Sequence, residues 1–293
     1  MRKIMLGGVL LASSLMAGAT TTVVPYVGVI GYDSSSAVSA KDSSKLYGIH
    51  ASAGTVDYLI EFDYSKFSTN YKSAAVEDLD QDDIVLSYAK YYKNFMFKIG
   101  DHYISTNDPL LRNGNTIITA IGGYSFSGAD KYSYGIEGYY SKYSSGQDEN
   151  NVRKSIGIMQ ATPYFSFFKK FSKKVKNNFS FKYNYQSASD YVQNNYSSYE
   201  ISDTIYYGNV FTTFKYYDGE MRSGVKDGGT TVMNTLDLVE NGFDIKLGYY
   251  FSPKAVLTIS YGENNVREFD VVTSSLLKSG KNSVTVATFS YTY

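Results

Sequence analysis

The chain has 293 residues with 28 basic and 28 acidic side chains, and this balance excludes a polybasic protein that binds nucleic acid. Cysteine is absent, which excludes a disulfide framework, thiolate metal sites and cysteine nucleophiles. Tyrosine reaches 31 residues while only 4 prolines and 2 histidines occur, a composition that favours β-strands.

The N-terminus has the pattern of a cleaved secretory signal peptide. Arg2 and Lys3 precede an apolar run over 4–16, and residues 17–19 supply the small side chains that signal peptidase requires. The apolar run is shorter than the roughly 18 to 20 residues that a membrane-spanning helix needs. We therefore predict that residues 1–19 are removed and that residues 20–293 form one exported domain.

The rest of the chain predicts β-strands, because apolar residues recur with a period of two. In NFSFKYNYQ, residues 178–186, phenylalanine and tyrosine alternate with serine, lysine and asparagine, and FDIKLGYYF at 243–251 alternates similarly. Alternation is weak in the first, sixth, eighth and tenth predicted strands, so 12 or 16 strands are possible besides the 14 that the pattern favours. The 14 predicted strands cover 23–34, 45–54, 56–68, 83–91, 94–104, 115–126, 130–143, 153–167, 176–188, 198–207, 210–218, 243–251, 254–265 and 282–293.

The connections between these strands alternate in length, as in a meander of hairpins. Tight turns are predicted at 91–95, 206–210 and 250–256, whereas longer connections are rich in glycine, serine, asparagine and aspartate. The longest connection, 218–242, could fold into the interior or remain a solvated surface loop, and of these two we expect the surface loop.

The two faces of the predicted strands indicate a membrane barrel. One face is aromatic and aliphatic, while the other is rich in glycine, serine, threonine and asparagine, which suits a crowded, hydrated interior. In a membrane every backbone polar group must be paired, so a sheet can span only when it closes on itself. Tyrosines at strand ends suit the headgroup boundary. We predict an all-β fold, a closed antiparallel up-and-down transmembrane β-barrel.

The last strand carries a resemblance to a known class. The chain ends in SVTVATFSYTY, where Phe289, Tyr291 and Tyr293 alternate with small polar residues. Together with the signal peptide and the alternating connections, this ending resembles the outer-membrane β-barrel proteins of Gram-negative bacteria, and it is most similar to the monomeric 14-stranded OmpG-like porins. The resemblance implies location in the outer membrane, contact with its lipid and lipopolysaccharide, and recognition of these three aromatic residues by the barrel-assembly machinery.

The predicted lumen suggests a channel, because about eight strands already enclose a filled interior and 16 to 18 leave an aqueous pore. We predict passive diffusion of small hydrophilic solutes. The alternative is a structural or adhesive surface barrel with an occluded lumen and functional extracellular loops. The predicted lumen-facing charges balance, which predicts weak ion selectivity; they are Glu61, Asp63, Glu137, Asp244, Lys98, Lys182, Lys215 and Lys246.

The sequence offers little for catalysis. Its histidines are His50 and His102, and Asp101 points away from His102 because neighbours on a strand face opposite sides. We expect His102 to be a solvated residue at the rim of the barrel. The sequence has no convincing nucleophile elbow, metal-ligand spacing or phosphate-binding loop, so we predict no enzyme activity, no cofactor and no metal.

Overall fold

The computed structural model describes residues 19–35, 39–73, 77–107, 113–147, 153–189, 193–232, 236–270 and 275–293. The predicted signal peptide lies outside these ranges except for its last residue. Among the described residues, no helix is long and apolar enough to cross a membrane.

Fourteen long antiparallel strands form a closed barrel in which each strand pairs with its neighbours along the chain and the last pairs with the first. All fourteen predicted strands are confirmed, and many extend a few residues further at the end that carries the long connections. The barrel strands are β1 (Thr20–Gly31), β2 (Lys41–Gly54), β3 (Tyr58–Tyr71), β4 (Leu79–Tyr92), β5 (Phe95–Thr106), β6 (Gly114–Ser127), β7 (Asp130–Gln147), β8 (Arg153–Lys170), β9 (Val175–Ala188), β10 (Asn195–Tyr207), β11 (Val210–Arg222), β14 (Leu238–Ser252), β15 (Ala255–Arg267) and β18 (Gly280–Thr292).

Two short hairpins lie in the last two long connections. The first pairs β12 (Val225–Lys226) with β13 (Thr231–Val232) around a 3-10 turn at Asp227–Gly229. The second pairs β16 (Phe269–Asp270) with β17 (Ser275–Leu276). Neither hairpin belongs to the barrel wall.

The two ends of the barrel differ, and we name them the turn end and the loop end. Short turns and both ends of the described chain lie at the turn end, where the Tyr293 amide donates a hydrogen bond to the Thr21 carbonyl at 2.8 Å. Gly128 and Gly208 occupy such turns with positive φ, which suits glycine. Outer-membrane barrels place short turns in the periplasm and long loops outside the cell, which assigns the two ends.

The two faces of the wall differ as the alternation predicts. Large aromatic and aliphatic side chains are exposed on the outer face of the strands; Phe97 and Ile99 of β5 are examples. On the inner face, hydroxyl pairs join neighbouring strands, such as Thr204 with Thr213 and Thr116 with Ser141. An apolar outside and a polar inside are the arrangement of a barrel that lies in a membrane.

Part of the inner face is apolar and forms a packed core. We call this group the inner cluster; each of its side chains is at most 3% exposed, and it lies towards the loop end. Phe269 and Leu276 of the second hairpin pack against it. Its members are Ile104, Tyr143, Ile156, Ile158, Ala188, Tyr196, Leu236 and Leu238.

Candidate functional site

The feature most relevant to function is a stretch of chain that crosses the lumen. Residues 222–232, which we call the crossing segment, leave the loop end of β11 and contact inner side chains of β9, β8 and β5 in turn. In the barrel order β5 lies six strands from β11, nearly half of the fourteen-stranded circumference. The segment therefore spans the interior, and the expected solvated surface loop is wrong.

Two glutamines of the wall hold the start of the crossing segment. Gln160 on β8 donates from Nε2 to the Val225 carbonyl at 2.7 Å, and its Oε1 accepts from the Val225 amide at 2.8 Å. Gln186 on β9 accepts from the Arg222 amide at 3.1 Å. These side chains satisfy backbone groups that a buried, irregular segment would otherwise leave unpaired.

Two lysines from distant walls bind neighbouring residues at the tip of the segment. Lys98 on β5 donates to the Gly228 carbonyl at 3.1 Å, while Lys215 on β11 lies 3.4 Å from the Asp227 carboxylate. The Lys215 charge holds the pKa of Asp227 below its ordinary value. Next to it, burial lowers the pKa of Lys226, whose ammonium lies 3.9 Å from the centre of the Tyr217 ring.

Close packing also fixes the crossing segment. Gly229 has φ +99°, and a Cβ there would lie 2.3 Å from Ile118 on β6, so only glycine fits. Val225 joins Val85, Ile118 and Tyr139 in a second buried apolar group. The crossing segment is thus packed against the wall as well as hydrogen-bonded to it.

The expectation that His102 is a solvated rim residue is wrong. His102 is almost fully buried on the inner face of β5, with Nδ1 2.9 Å from the Gly229 carbonyl and Nε2 2.9 Å from Asp83. The imidazole thus bridges a backbone carbonyl of the crossing segment and a carboxylate of β4. Asp101 points outwards to Asn115 as predicted, and His102 fixes the crossing segment to the wall.

The predicted lumen charges form local pairs of opposite sign. Lys98 lies 2.7 Å from Glu61, Lys182 lies 3.7 Å from Glu137, and Lys215 lies 3.7 Å from Glu200, a carboxylate outside the predicted set. The side chains of these three pairs are 13–27% exposed.

The remaining predicted charges are found on the same inner face. Asp63 accepts a hydrogen bond from the Tyr26 hydroxyl at 2.8 Å and lies 3.4 Å from His50. Asp244 and Lys246 occupy alternate positions of β14, so they share one face. That all eight charges line a conducting pore remains a prediction.

A buried polar network joins connections at the loop end. Lys41 at the start of β2 forms an ion pair with Asp237, which also accepts a hydrogen bond from the Phe269 amide at 2.9 Å. Glu268 accepts from the Ser39 hydroxyl at 2.6 Å, and burial raises the pKa of this glutamate. Three long connections are therefore tied together above the inner cluster.

The C-terminal aromatics lie where the alternation predicts. Phe289, Tyr291 and Tyr293 are exposed on the outer face at the turn end, and the last two rings meet edge to face with centroids 4.9 Å apart. Their recognition by the barrel-assembly machinery remains a prediction.

The sequence does contain a signal for the residues that were missed. Apolar side chains occupy inward positions near the loop end, as Ile104 on β5 and Ile156 and Ile158 on β8 do. A polar lumen would not favour them, so their presence indicates that something covers them. Within the described residues, no group of three or more histidine, aspartate or glutamate side chains is placed to hold a metal ion.

Comparison with known proteins reveals the fold and little else. No family model matches the chain, and no curated protein matches its sequence. The structure titled CymD monoaromatic hydrocarbon channel is 10% identical, with a TM-score of 0.50 over 96% of this chain and 90% of that one. A NanC porin structure is 12% identical, with a TM-score of 0.50 over 91% of this chain and 98% of that one.

These similarities agree with the architecture. The chain has the closed antiparallel barrel of outer-membrane proteins. Its apolar outer belt belongs to a barrel located in the outer membrane.

Proposed function

We propose that this outer-membrane barrel is a channel for passive, weakly selective diffusion of small hydrophilic solutes, narrowed by the crossing segment. The observation that supports a water-filled path is the set of ion pairs on the inner wall, Lys98 with Glu61 and Lys182 with Glu137. Their side chains stay partly accessible, and charged groups retain such accessibility in a hydrated interior.

Weak selectivity follows from how the charges are distributed. Strong ion selectivity in wide pores comes from rings of charges of one sign. Here each lysine of the three pairs lies within 4 Å of a carboxylate, so positive and negative potentials largely cancel along the wall. Small neutral or weakly charged solutes fit this interior best, and no catalytic role is proposed.

The names of structurally similar proteins point to transport but to different solutes. One is titled a porin and another a hydrocarbon channel. A path for hydrocarbons requires a continuous apolar lining, whereas hydroxyl pairs occur along the turn-end half of this lumen, beside an aromatic group of Tyr206, Phe211 and Tyr250. The polar lining supports a hydrophilic solute.

One observation favours the second candidate, a structural or adhesive surface barrel with an occluded lumen. The inner cluster and the crossing segment fill much of the loop-end half, and the network of Lys41, Asp237 and Glu268 ties the loops above them. Such a plug would suit a protein whose working surface is its loops.

Conductance in planar bilayers separates the two candidates. The wild type is compared with a variant in which a short glycine-serine linker replaces residues 224–236; the ends of β11 and β14 already pair at Arg222 and Leu238, so a short linker can close the gap. We expect stable openings for the wild type and larger ones for the variant. Folding of both is checked by heat-modifiable migration on a gel. If the folded wild type is silent, whether or not the variant conducts, the channel proposal fails and the surface barrel is favoured.

A further inference from the structure

One acidic residue lies on the lipid-facing surface, in the middle of the apolar belt. Tyr199 and Tyr207 lie on the same face of β10, eight residues apart, or about 26 Å along a strand that rises roughly 3.3 Å per residue. With the tilt usual in such barrels this is about 20 Å of membrane depth, close to the height of an apolar belt. Asp203 lies halfway between the two tyrosines.

Cross-strand neighbours show that Asp203 faces outwards. It lies opposite Phe179 on β9 and Phe214 on β11, which are 37% and 51% exposed on the outer surface. The next residue along the strand, Thr204, points inwards and hydrogen-bonds to Thr213. The carboxylate is therefore flanked by two lipid-facing phenylalanines.

The hydrogen bonds of this carboxylate are incomplete. The Asn177 amide donates to Oδ1 of Asp203. Within the described residues, the second oxygen of Asp203, the amide oxygen of Asn177 and the hydroxyl of the exposed Thr212 have no hydrogen-bond partner. Hydrocarbon offers none either, so an ionisable residue at this depth calls for a further partner.

A second outward aspartate, Asp101, differs from Asp203 in its hydrogen bonding. Asp101 on β5 accepts from Asn115 at both carboxylate oxygens, at 2.7 and 2.9 Å. It lies two residues from Tyr103, nearer the loop-end edge of the belt. Asp101 is thus satisfied within the chain, whereas Asp203 is only half satisfied.

We propose that the outer surface around Asp203, Asn177 and Thr212, which we call the polar patch, is the contact between two copies of the chain. A twofold axis along the membrane normal keeps every residue at its own depth, so each polar patch meets the other. The second amide N–H of Asn177 then donates to the second oxygen of Asp203 on the other copy. The patch carries both donors and acceptors, so it complements itself.

The depth of the patch argues against other occupants. Lipid headgroups lie at the edges of the belt, about 10 Å away, and acyl chains offer no donor. A soluble protein cannot reach this depth. The partner must itself be embedded in the membrane, and the self-complementary set of groups favours a second copy over a different barrel.

Cross-linking can test this directly because the native chain contains no cysteine. Tyr207→Cys places a thiol at the turn end of β10, below the polar patch, and Tyr92→Cys places one at the matching position of β4, six strands away. The two tyrosines are 65% and 63% exposed, which makes them a matched pair. Both variants are reconstituted in lipid vesicles and treated with a short bifunctional thiol reagent.

We expect covalent dimers from Tyr207→Cys and about tenfold fewer from Tyr92→Cys, a ratio equivalent to about 1.4 kcal/mol. Adding Asp203→Leu to Tyr207→Cys should reduce dimers to the Tyr92→Cys yield. Asp203→Asn keeps hydrogen-bonding groups and should retain most of the dimers. Asp101→Leu should leave the dimer yield unchanged. Heat-modifiable migration confirms that each variant is folded.

Three results would overturn the proposal. The first is equal cross-linking at the two cysteine positions. The second is a dimer yield that Asp203→Leu leaves unchanged in folded protein. The third is an adduct in native outer membranes whose mass is not twice that of the chain, which would assign the polar patch to a different barrel.

Discussion

The two halves of the lumen are built on one continuous wall, yet their interiors differ. Towards the loop end, Ile104, Tyr143 and Ile156 have no exposed surface and pack as in the core of a soluble protein. Towards the turn end, ion pairs such as Lys182 with Glu137 remain partly accessible. The comparison shows that the fourteen strands set the diameter, while the inward side chains and the connections decide whether each half is filled.

The physical reason for the difference lies in how apolar inward residues are distributed. A wall of this width cannot fill its own interior. Where inward positions are apolar, burial of the crossing segment and the second hairpin releases water from both surfaces. Where the inward positions are polar or charged, the side chains are more stable in contact with water. We therefore expect the turn-end half to hold the water through which solutes diffuse, and the loop-end half to limit their passage.

Equivalent tyrosine truncations in the two halves should have very different effects. Tyr143 is fully buried in the inner cluster, so Tyr143→Ala should lower the free energy of unfolding by about 3 to 5 kcal/mol, as for large aromatic truncations in cores. Tyr164 in the turn-end half is only partly buried, so Tyr164→Ala should cost about 1 kcal/mol. Urea unfolding in lipid vesicles measures both. Equal losses would mean that the two halves are packed alike.

A smaller effect is expected from releasing the crossing segment. Gln160→Ala removes two buried hydrogen bonds to Val225 and leaves its peptide groups unpaired, which should cost about 2 kcal/mol. The segment should then move more, and single-channel recordings should show more frequent current fluctuations. Asn184→Ala is the control, because the hydrogen bonds that Asn184 forms among the described residues go to the wall residues Thr162 and Ser198. Equal fluctuation in the two variants would show that Gln160 does not hold the segment.

The smallest expected effect is on the stability of the protein at acidic pH, through Asp227. Asp227 has a lowered pKa chiefly because of Lys215. A carboxylate of this kind contributes stability above its ordinary pKa and loses that contribution as the pH falls through the lowered pKa of the folded state. Lys215→Met should raise that pKa, so the contribution should disappear at a higher pH. Its size is under about 1 kcal/mol because the pair is partly exposed.

A fluorophore attached beforehand to a cysteine introduced at Thr230 reports, by its emission against pH, the loosening of the crossing segment as Asp227 becomes protonated. The midpoint of the emission change should lie at a higher pH in Lys215→Met than in the parent. Lys246→Met serves as control, because Lys246 contributes least among the lysines that lower the pKa of Asp227. An unchanged midpoint in Lys215→Met would show that Lys215 does not hold the segment.

The barrel itself could be predicted from the sequence because its rule is local. Side chains alternate between the two faces of a strand, so residues such as Phe179 and Phe181 show which face is apolar without knowledge of distant contacts. The weak alternation of the sixth and eighth predicted strands now has a cause. Those strands carry inward apolar residues, Ile118 and Ile156, that belong to the buried groups of the loop-end half. In the tenth predicted strand the outward Asp203 interrupts the apolar face.

The crossing segment could not be predicted in the same way. Its sequence is short, polar and rich in glycine, which is also typical of surface loops. Its position depends on Gln160, Lys98 and His102, which lie 65 to 130 residues before their partners in the segment. The burial of His102 was missed for this reason, because its partner Gly229 comes from a connection with no strand pattern.

Whether the turn-end half is hydrated and the loop-end half is packed can be tested directly with a charged, membrane-impermeant thiol reagent. The measurement is the rate at which this reagent labels inward cysteines in each half. Ser260→Cys lies on the partly accessible inner face of β15, and Ile158→Cys lies in the inner cluster. A hydrated turn-end half and a packed loop-end half predict that Ser260→Cys reacts at least about tenfold faster, because access controls the reaction of a thiol. Equal rates in folded protein would show that the two halves are equally hydrated.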